Sequence, residues 1–304
     1  MISVILQMAG IIALGQVWRY QPLGGWTADR ARGALTTSVY YLFLPALVFS
    51  VLWRAPLGVD TLRIAGTATV AVLSSLALMA VIGRAMRLGR LQFGALLLAA
   101  AFPNATYMGL PLLGSLFGDA GRAIAIQYDL FACTPILLSL GILLAARYGD
   151  SEEQVHPIKT LLKVPPLWAA IAGAGLNLAG VSQPDWAAEG LDRIGAAVVP
   201  LMLVALGMSL RLETLTGRQL LTVSPAIAIQ LLWMPLVAMG FALAVGTSGT
   251  TLTAVVLEAA MPVMVLGLVI CDRFGLDTTL YATTASASTL LALLTLPFWY
   301  GLAS

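Results

Sequence analysis

Apolar runs of about 18 or more residues, the length that crosses a hydrocarbon core of roughly 30 Å as a helix, alternate with short polar breaks along the whole chain. Ten are readable, over residues 2–18, 34–53, 62–83, 92–117, 120–146, 161–181, 188–210, 219–245, 251–271 and 278–302. Lipid offers no partner to a backbone N–H or C=O, so such runs satisfy themselves as helices. The pattern predicts an all-α polytopic membrane protein with ten transmembrane helices. The first run has no basic stretch before it and no small-residue cleavage site after it, so it reads as a retained helix.

Two runs are interrupted. The fourth contains "FPNATYMGLPLLGSLFGD", residues 102–119, which places two prolines, three glycines and an asparagine where lipid is expected. The ninth carries Pro262 with Gly267 shortly after it. The longest polar connection, "ARYGDSEEQVHPIKTLLK", divides the runs five and five. Because five is odd, the second half must enter the membrane in the opposite sense, which predicts two inverted five-helix repeats. Internal similarity agrees with this. "LFLPALVFSVLW" resembles "AAVVPLMLVALGMSL", aligning Pro45 with Pro200, and "AAAFPNATYMGLPLL" resembles "EAAMPVMVLGLVIC", aligning Pro103 with Pro262; the pairs lie 155 and 159 residues apart. The predicted organisation is a first repeat over 1–149, a cytoplasmic linker over 150–160 and a second repeat over 161–304. Repeat-related prolines, each followed by a glycine, predict that helices four and nine are broken. A broken helix leaves N–H and C=O groups that only a polar cavity and its ligand can satisfy.

Composition sharpens the class. With 60% hydrophobic and 10% charged residues, against roughly a quarter charged in soluble domains, the partner is a lipid bilayer. A net charge of +2 gives no basis for binding nucleic acid. The basic residues are unevenly placed: Arg19, Arg30, Arg32, Arg84, Arg87, Arg90, Arg147, Lys159, Lys163, Arg211, Arg218 and Arg273 fall on one side, and Arg54, Arg63, Arg122 and Arg193 on the other. Twelve against four predicts that the first side is cytoplasmic and both termini are extracytoplasmic. Cys133 and Cys271 lie in or at the end of apolar runs, with no disulfide framework implied. His156, in the polar connection with Asp150, Glu152 and Glu153, reads as solvated; no metal-ligand spacing and no cofactor motif is present. Trp18, Trp53, Trp186 and Trp299 read as interfacial anchors, and "GAGLNLAG" as a helix-packing surface.

Of fourteen acidic residues only Asp129 and Glu258 fall well inside the runs, and an intramembrane carboxylate is a functional candidate. Glu258 lies four residues before Pro262. It reads either as a protonated core acid or as a site coupling H⁺ or Na⁺, together with Asp129 and Asn104. Asp129, in "AIQYDLF", reads equally as a residue near the membrane surface. Asn104 can donate to a carboxylate and accept from a cation, or cap the helix that follows it. No Lys, Arg or His lies deep in a run, so an anionic ligand would rely on half-helix N-termini. The peptide groups after Pro103 and Pro262 are the candidates, with Gly109 and Gly267 allowing close approach. Tyr107, Met108, Met261 and Met264 either line a pocket or pack in the core. A lone loop histidine and the absence of HExxH or a buried nucleophile–base pair argue against an intramembrane enzyme.

At the two breaks, and at "FLPALVF" and "LALLTLPFWYGL", the chain resembles the auxin efflux carrier family, in its short bacterial form. The resemblance covers essentially the whole chain. It implies a scaffold from helices one, two, six and seven, often the dimer surface, and a transport domain from three to five and eight to ten, in which helices four and nine cross. It is similar in this to bile-acid symporters and sodium/proton antiporters. By resemblance the protein is a homodimeric secondary transporter of the bacterial inner membrane carrying a small organic anion, a mono- or dicarboxylate. The candidate substrate-binding residues are Pro103, Asn104, Ala105, Met108, Gly109, Pro262, Val263 and Pro45, with Na⁺ or H⁺ at Glu258. The competing expectation is a cation exchanger without an organic substrate.

Overall fold

The computed structural model describes residues 1–151 and 156–304, and all of these but the side chain of Arg218. Glu152 and Glu153, expected beside His156, lie outside the described residues. The chain forms helices α1 (Ile2–Tyr20), α2 (Ala28–Arg54), α3 (Val59–Ala85), α4 (Arg90–Ala101), α5 (Ala105–Tyr148), α6 (Pro157–Leu161), α7 (Pro165–Leu178), α8 (Asp185–Gly195), α9 (Val198–Ser209), α10 (Gln219–Ala244), α11 (Gly249–Ala259), α12 (Leu266–Phe274) and α13 (Thr278–Ala303).

Among the described residues, seven helical stretches are long and apolar enough to cross a membrane, against ten apolar runs in the sequence. The difference has physical causes. The fourth and ninth runs are cut, leaving α4 with 12 residues and α11 with 11. The remainder of the fourth run and the fifth run are counted together as the 44-residue α5, but Gly118 is non-helical and divides it into two helical arms that meet at a kink. Gly118 has φ 61°, ψ −139°, a conformation open essentially to glycine alone. The sixth run yields only the 14 residues of α7, since Pro165 opens the helix and Gly180, in the left-handed region, ends the segment beyond it.

Proline shapes the long helices in a second way. Five π-turns interrupt them, and four end two residues before a proline: Val39–Phe43 before Pro45, Ala105–Gly109 before Pro111, Asp129–Cys133 before Pro135, and Ile229–Trp233 before Pro235. A proline ring clashes with the carbonyl four residues back and offers no N–H. A wider turn relieves that clash while keeping the helix running. Pro45 therefore sits in a continuous, widened helix and not at a break.

Helices pair in a reciprocal pattern. α1 lies against α9 and α7 against α2; α3 lies against α10; α13 lies against α4 and α11 against α5. Small residues make the first two contacts close. A Cβ on Gly15 would stand 2.8 Å from the Gly207 Cα, and one on Gly173 2.7 Å from the Phe49 carbonyl oxygen. "GAGLNLAG" is thus a packing surface, as its composition suggests. Polar clamps reinforce the same contacts: Gln16 Nε2 donates to the Gly207 and Leu210 carbonyls at 2.6 and 2.9 Å, and Asn177 Nδ2 to Trp53 and Ala55 at 2.7 Å each. Arg54 grips Asp192 through both guanidinium nitrogens, at 2.7 and 3.1 Å. Trp186 is exposed, but Trp299 is 4% exposed and donates to the Leu231 carbonyl at 2.8 Å. It is a core residue, and the interfacial-anchor reading fails there because the ring points from α13 onto α10 and not outward with its neighbour Phe298.

Candidate functional site

α4 and α11 both stop at the molecule's centre, and the chain beyond each is extended for a few residues. Residues 102–104 and 262–264 run antiparallel and pair across an isolated bridge between Pro103 and Val263. Asn104 N–H donates to the Pro262 carbonyl at 2.7 Å, and Met264 N–H to the Phe102 carbonyl at 3.0 Å. Neither proline could donate, so the bridge uses the residues on either side of them. Side chains from neighbouring helices take up the remaining polar groups. Ser288 Oγ accepts from Val263 N–H at 3.1 Å, Tyr281 donates to the Met264 carbonyl at 2.7 Å, and Gln230 Nε2 donates to the Met261 carbonyl at 2.9 Å.

This pairing relocates the expected anion donors. The N–H groups of Asn104, Val263 and Met264 are satisfied by the protein itself, so the peptides immediately after the two prolines are occupied. The donors without a helical acceptor belong to the first turns of the half-helices, from Ala105 in α5 and from Leu266 in α12. Asn104 forms no side-chain cap to that first turn, and the capping reading is corrected. Its Nδ2 is buried without a partner.

The structure brings Asp129 and Glu258 to the same short stretch. Thr106 and Thr134 donate to the two oxygens of Asp129, the latter at 2.9 Å. Asp129 is 4% exposed and opens a π-turn. Gly109, three residues after Thr106, lies against the carboxylate of Glu258, so that a Cβ there would overlap its oxygens. One turn, Ala105–Gly109, is flanked by both acids. Glu258 is fully buried and both of its oxygens lack a hydrogen-bond partner among the described residues. A buried polar atom left unpaired costs about 1–3 kcal/mol, and a carboxyl so placed is stabilised by taking up a proton or a cation. Gly109 and Gly267 were expected to admit a ligand to the backbone. Instead they admit side chains, Glu258 at the first and the Tyr281 hydroxyl at the second.

Ala105, Met108 and Val263 are buried in this cluster, while Pro45 is half-buried on α2. Leu44 and Val48 of α2 line a small gap with Ala105, Thr106 and Asp129, so Pro45 is beside the site and not at the breaks.

A larger cavity, of about 450 Å³, opens alongside. Tyr107, Val265 and Leu266, at the starts of both half-helices, form one part of its wall, and Tyr40 and Tyr41 another. Arg32, Lys163 and Arg273 also line it. Arg32 was assigned to a loop. The helix begins at Ala28, six residues before the apolar run, so it stands inside α2, its side chain 22% exposed and its Nε buried without a partner. Arg32, Gln230, Ser288 and Tyr281 are the residues that sequence reading passed over. Gln230 was detectable, as a polar residue within the eighth run.

The sequence profile of the membrane transport protein family matches residues 5–300. An uncharacterized transporter of Methanothermobacter thermautotrophicus is 29% identical over 97% of this chain and 96% of its own length. An uncharacterized transporter of Methanocaldococcus jannaschii is 26% identical over 68% of each. Matched along nearly its whole length, and built of apolar helices around a cluster of buried polar groups, this chain belongs to the membrane transport protein family, the auxin efflux carrier-like transporters, and is a multi-pass membrane transporter and not an enzyme.

Proposed function

We propose that the protein is a secondary transporter of small organic anions, binding a carboxylate where the bridged breaks meet the 450 Å³ cavity. The observation that carries this reading is that the cavity touches the first turns of two half-helices and has Arg32, Lys163 and Arg273 in its wall. Each half-helix start presents free N–H groups and about half a positive charge, and the cations add attraction for an anion entering between them. Asn104, just before the first turn of α5 and three residues from Tyr107 in the cavity wall, adds a buried amide Nδ2 with no partner among the described residues. The volume suits a small ligand, since such sites typically span about 300–1,000 Å³.

The same reading takes the ten apolar segments as ten membrane crossings in two inverted repeats, residues 1–149 and 161–304. Supporting it, the helix pairings exchange under a shift of five crossings: first with seventh as sixth with second, fourth with tenth as ninth with fifth. α1, α2, α7, α8 and α9 then form the scaffold, which we propose dimerises, and α3, α4, α5, α10, α11, α12 and α13 form a transport domain that moves against it in alternating access. We place the protein in a bacterial inner membrane with both termini outside. Glu258 couples transport to H⁺ or Na⁺. The second reading, cation exchange alone, is favoured by the two buried acids flanking Ala105–Gly109.

Uptake and charge movement in proteoliposomes, with a panel of aliphatic and aromatic carboxylates at matched sodium and pH, separate the two. A saturable signal for one class of carboxylate supports anion transport. It should fall roughly tenfold or more in Asn104→Ala, which removes one hydrogen bond to a charged group worth about 1.5–3 kcal/mol. Silence across the panel in both assays, with sodium or proton exchange intact, would establish the second reading instead.

A further inference from the structure

At one end of the molecule α3, α4 and α5 converge on an open cavity of about 720 Å³, lined by Arg84, Arg87, Arg90 and Arg147 together with Phe93 and Tyr148. Its floor is constructed. A Cβ on Gly83 would stand 2.7 Å from the Phe93 ring, so only glycine lets that ring lie against α3. Phe93 and Tyr148 meet edge to face at 4.9 Å. The guanidinium of Arg84 lies 5.6 Å over the Phe93 ring and that of Arg147 6.0 Å from the Tyr148 ring. Arg87 is the one non-glycine among the described residues with a left-handed backbone, φ 53°, a strained conformation that surrounding structure must hold. Its N–H donates to the Arg84 carbonyl at 3.0 Å and Leu88 N–H to Gly83 at 3.2 Å, closing the turn between α3 and α4.

Four guanidinium groups surround this space, yet among the described residues only Arg90 has a carboxylate near it, Asp150 at 4.0 Å. Arg90 is also anchored to the Gly149 carbonyl. Like charges gathered in one place repel one another, and guanidinium forks match a tetrahedral oxyanion in charge and geometry. The cavity lies at the ends of the apolar helices α3 and α5 and has aromatic rings in its floor. We infer that it binds a phosphate group, supplied by the headgroup of an anionic phospholipid, which bridges α3, α4 and α5. Basic pockets between membrane helices serve anionic headgroups by this chemistry.

The test uses the full chain in nanodiscs of phosphatidylcholine containing a minority of phosphatidylglycerol, with the lipids retained on release read by native mass spectrometry. The wild type should retain phosphatidylglycerol well above its share. The triple variant Arg84→Gln/Arg87→Gln/Arg147→Gln, altering three exposed side chains, should lose that preference by on the order of tenfold or more, and Arg30→Gln should keep it. Inorganic phosphate added to protein in pure phosphatidylcholine distinguishes the source. If it stabilises the wild type and not the triple variant, and phosphatidylglycerol shows no preference, the cavity takes soluble phosphate and the lipid assignment is overturned. Retention of both lipids in proportion to their abundance, with no response to phosphate, overturns the site altogether. Both wild-type measurements stand even if the triple variant fails to fold.

Discussion

Gly109 and Glu258 touch, and that contact sets what each residue can become. Because a Cβ at residue 109 would overlap the carboxylate, Gly109→Ala should displace Glu258 or the turn. Overpacking of this kind costs about 1–3 kcal/mol, and we expect a lowered unfolding temperature in detergent together with loss of transport. Glu258→Gln keeps the volume and removes the charge. It should leave the fold intact and flatten the dependence of transport on the coupling ion; an unchanged dependence would remove Glu258 from the mechanism. Sequence made Glu258 legible because an acid inside an apolar run is conspicuous. It hid the role of Gly109, since a glycine spared for a ligand and a glycine spared for a side chain look alike until the facing helix is in place. Arg32 was hidden for a similar reason: hydropathy marks where lipid begins, and a helix can start well before it.

At the scale of elements, proline carries most of the information. Pro103 and Pro262 each mark a true break, whereas Pro45, Pro111, Pro135 and Pro235 each follow a π-turn in a helix that continues. Both outcomes relieve the same steric conflict, and the chain nearby decides between them. At residues 103 and 262 the opposing extended segment takes up the freed backbone groups, and that segment is about 159 residues away, so local pattern cannot show it. The π-turns have their own use: Thr106, Gly109, Asp129 and Gln230 all stand on them. Asp129 opens one such turn and Thr134 directly follows it, and the Thr106 and Thr134 hydroxyls both reach the Asp129 carboxylate. Pro135→Ala should let that turn tighten, rotating Asp129 away from Thr106. The expected result is weakened ion coupling with helix content unchanged, read by transport assay and circular dichroism. Gln230→Leu should cost about 1–3 kcal/mol by leaving the Met261 carbonyl unpaired, measurable as a fall in thermal stability.

Across the whole molecule, the contacts of α1 with α9 and of α7 with α2 are tight, backbone to backbone, and fixed by Gln16 and Asn177, while the Arg54–Asp192 pair ties α2 to α8. The centre is held differently, by one short bridge and a few side-chain bonds. Rigidity thus belongs to the pairs we assign to the scaffold. Gly207→Val should wedge α1 from α9 and lower stability more than any substitution at the exposed Trp186, a comparison that thermal unfolding in detergent can make. The apolar runs made most of the helices legible, but not which of them meet; Trp299 was misread because a tryptophan at the end of a run looks the same whether its ring faces outward or into the bundle. The bridge between residues 102–104 and 262–264 has one further consequence. It is made of main chain, so it is indifferent to which side chains hang from it. Asn104 can therefore be exchanged during divergence without dismantling the joint that positions it and the half-helix starts beyond it, and a protein built this way can acquire a new cargo while keeping its machinery.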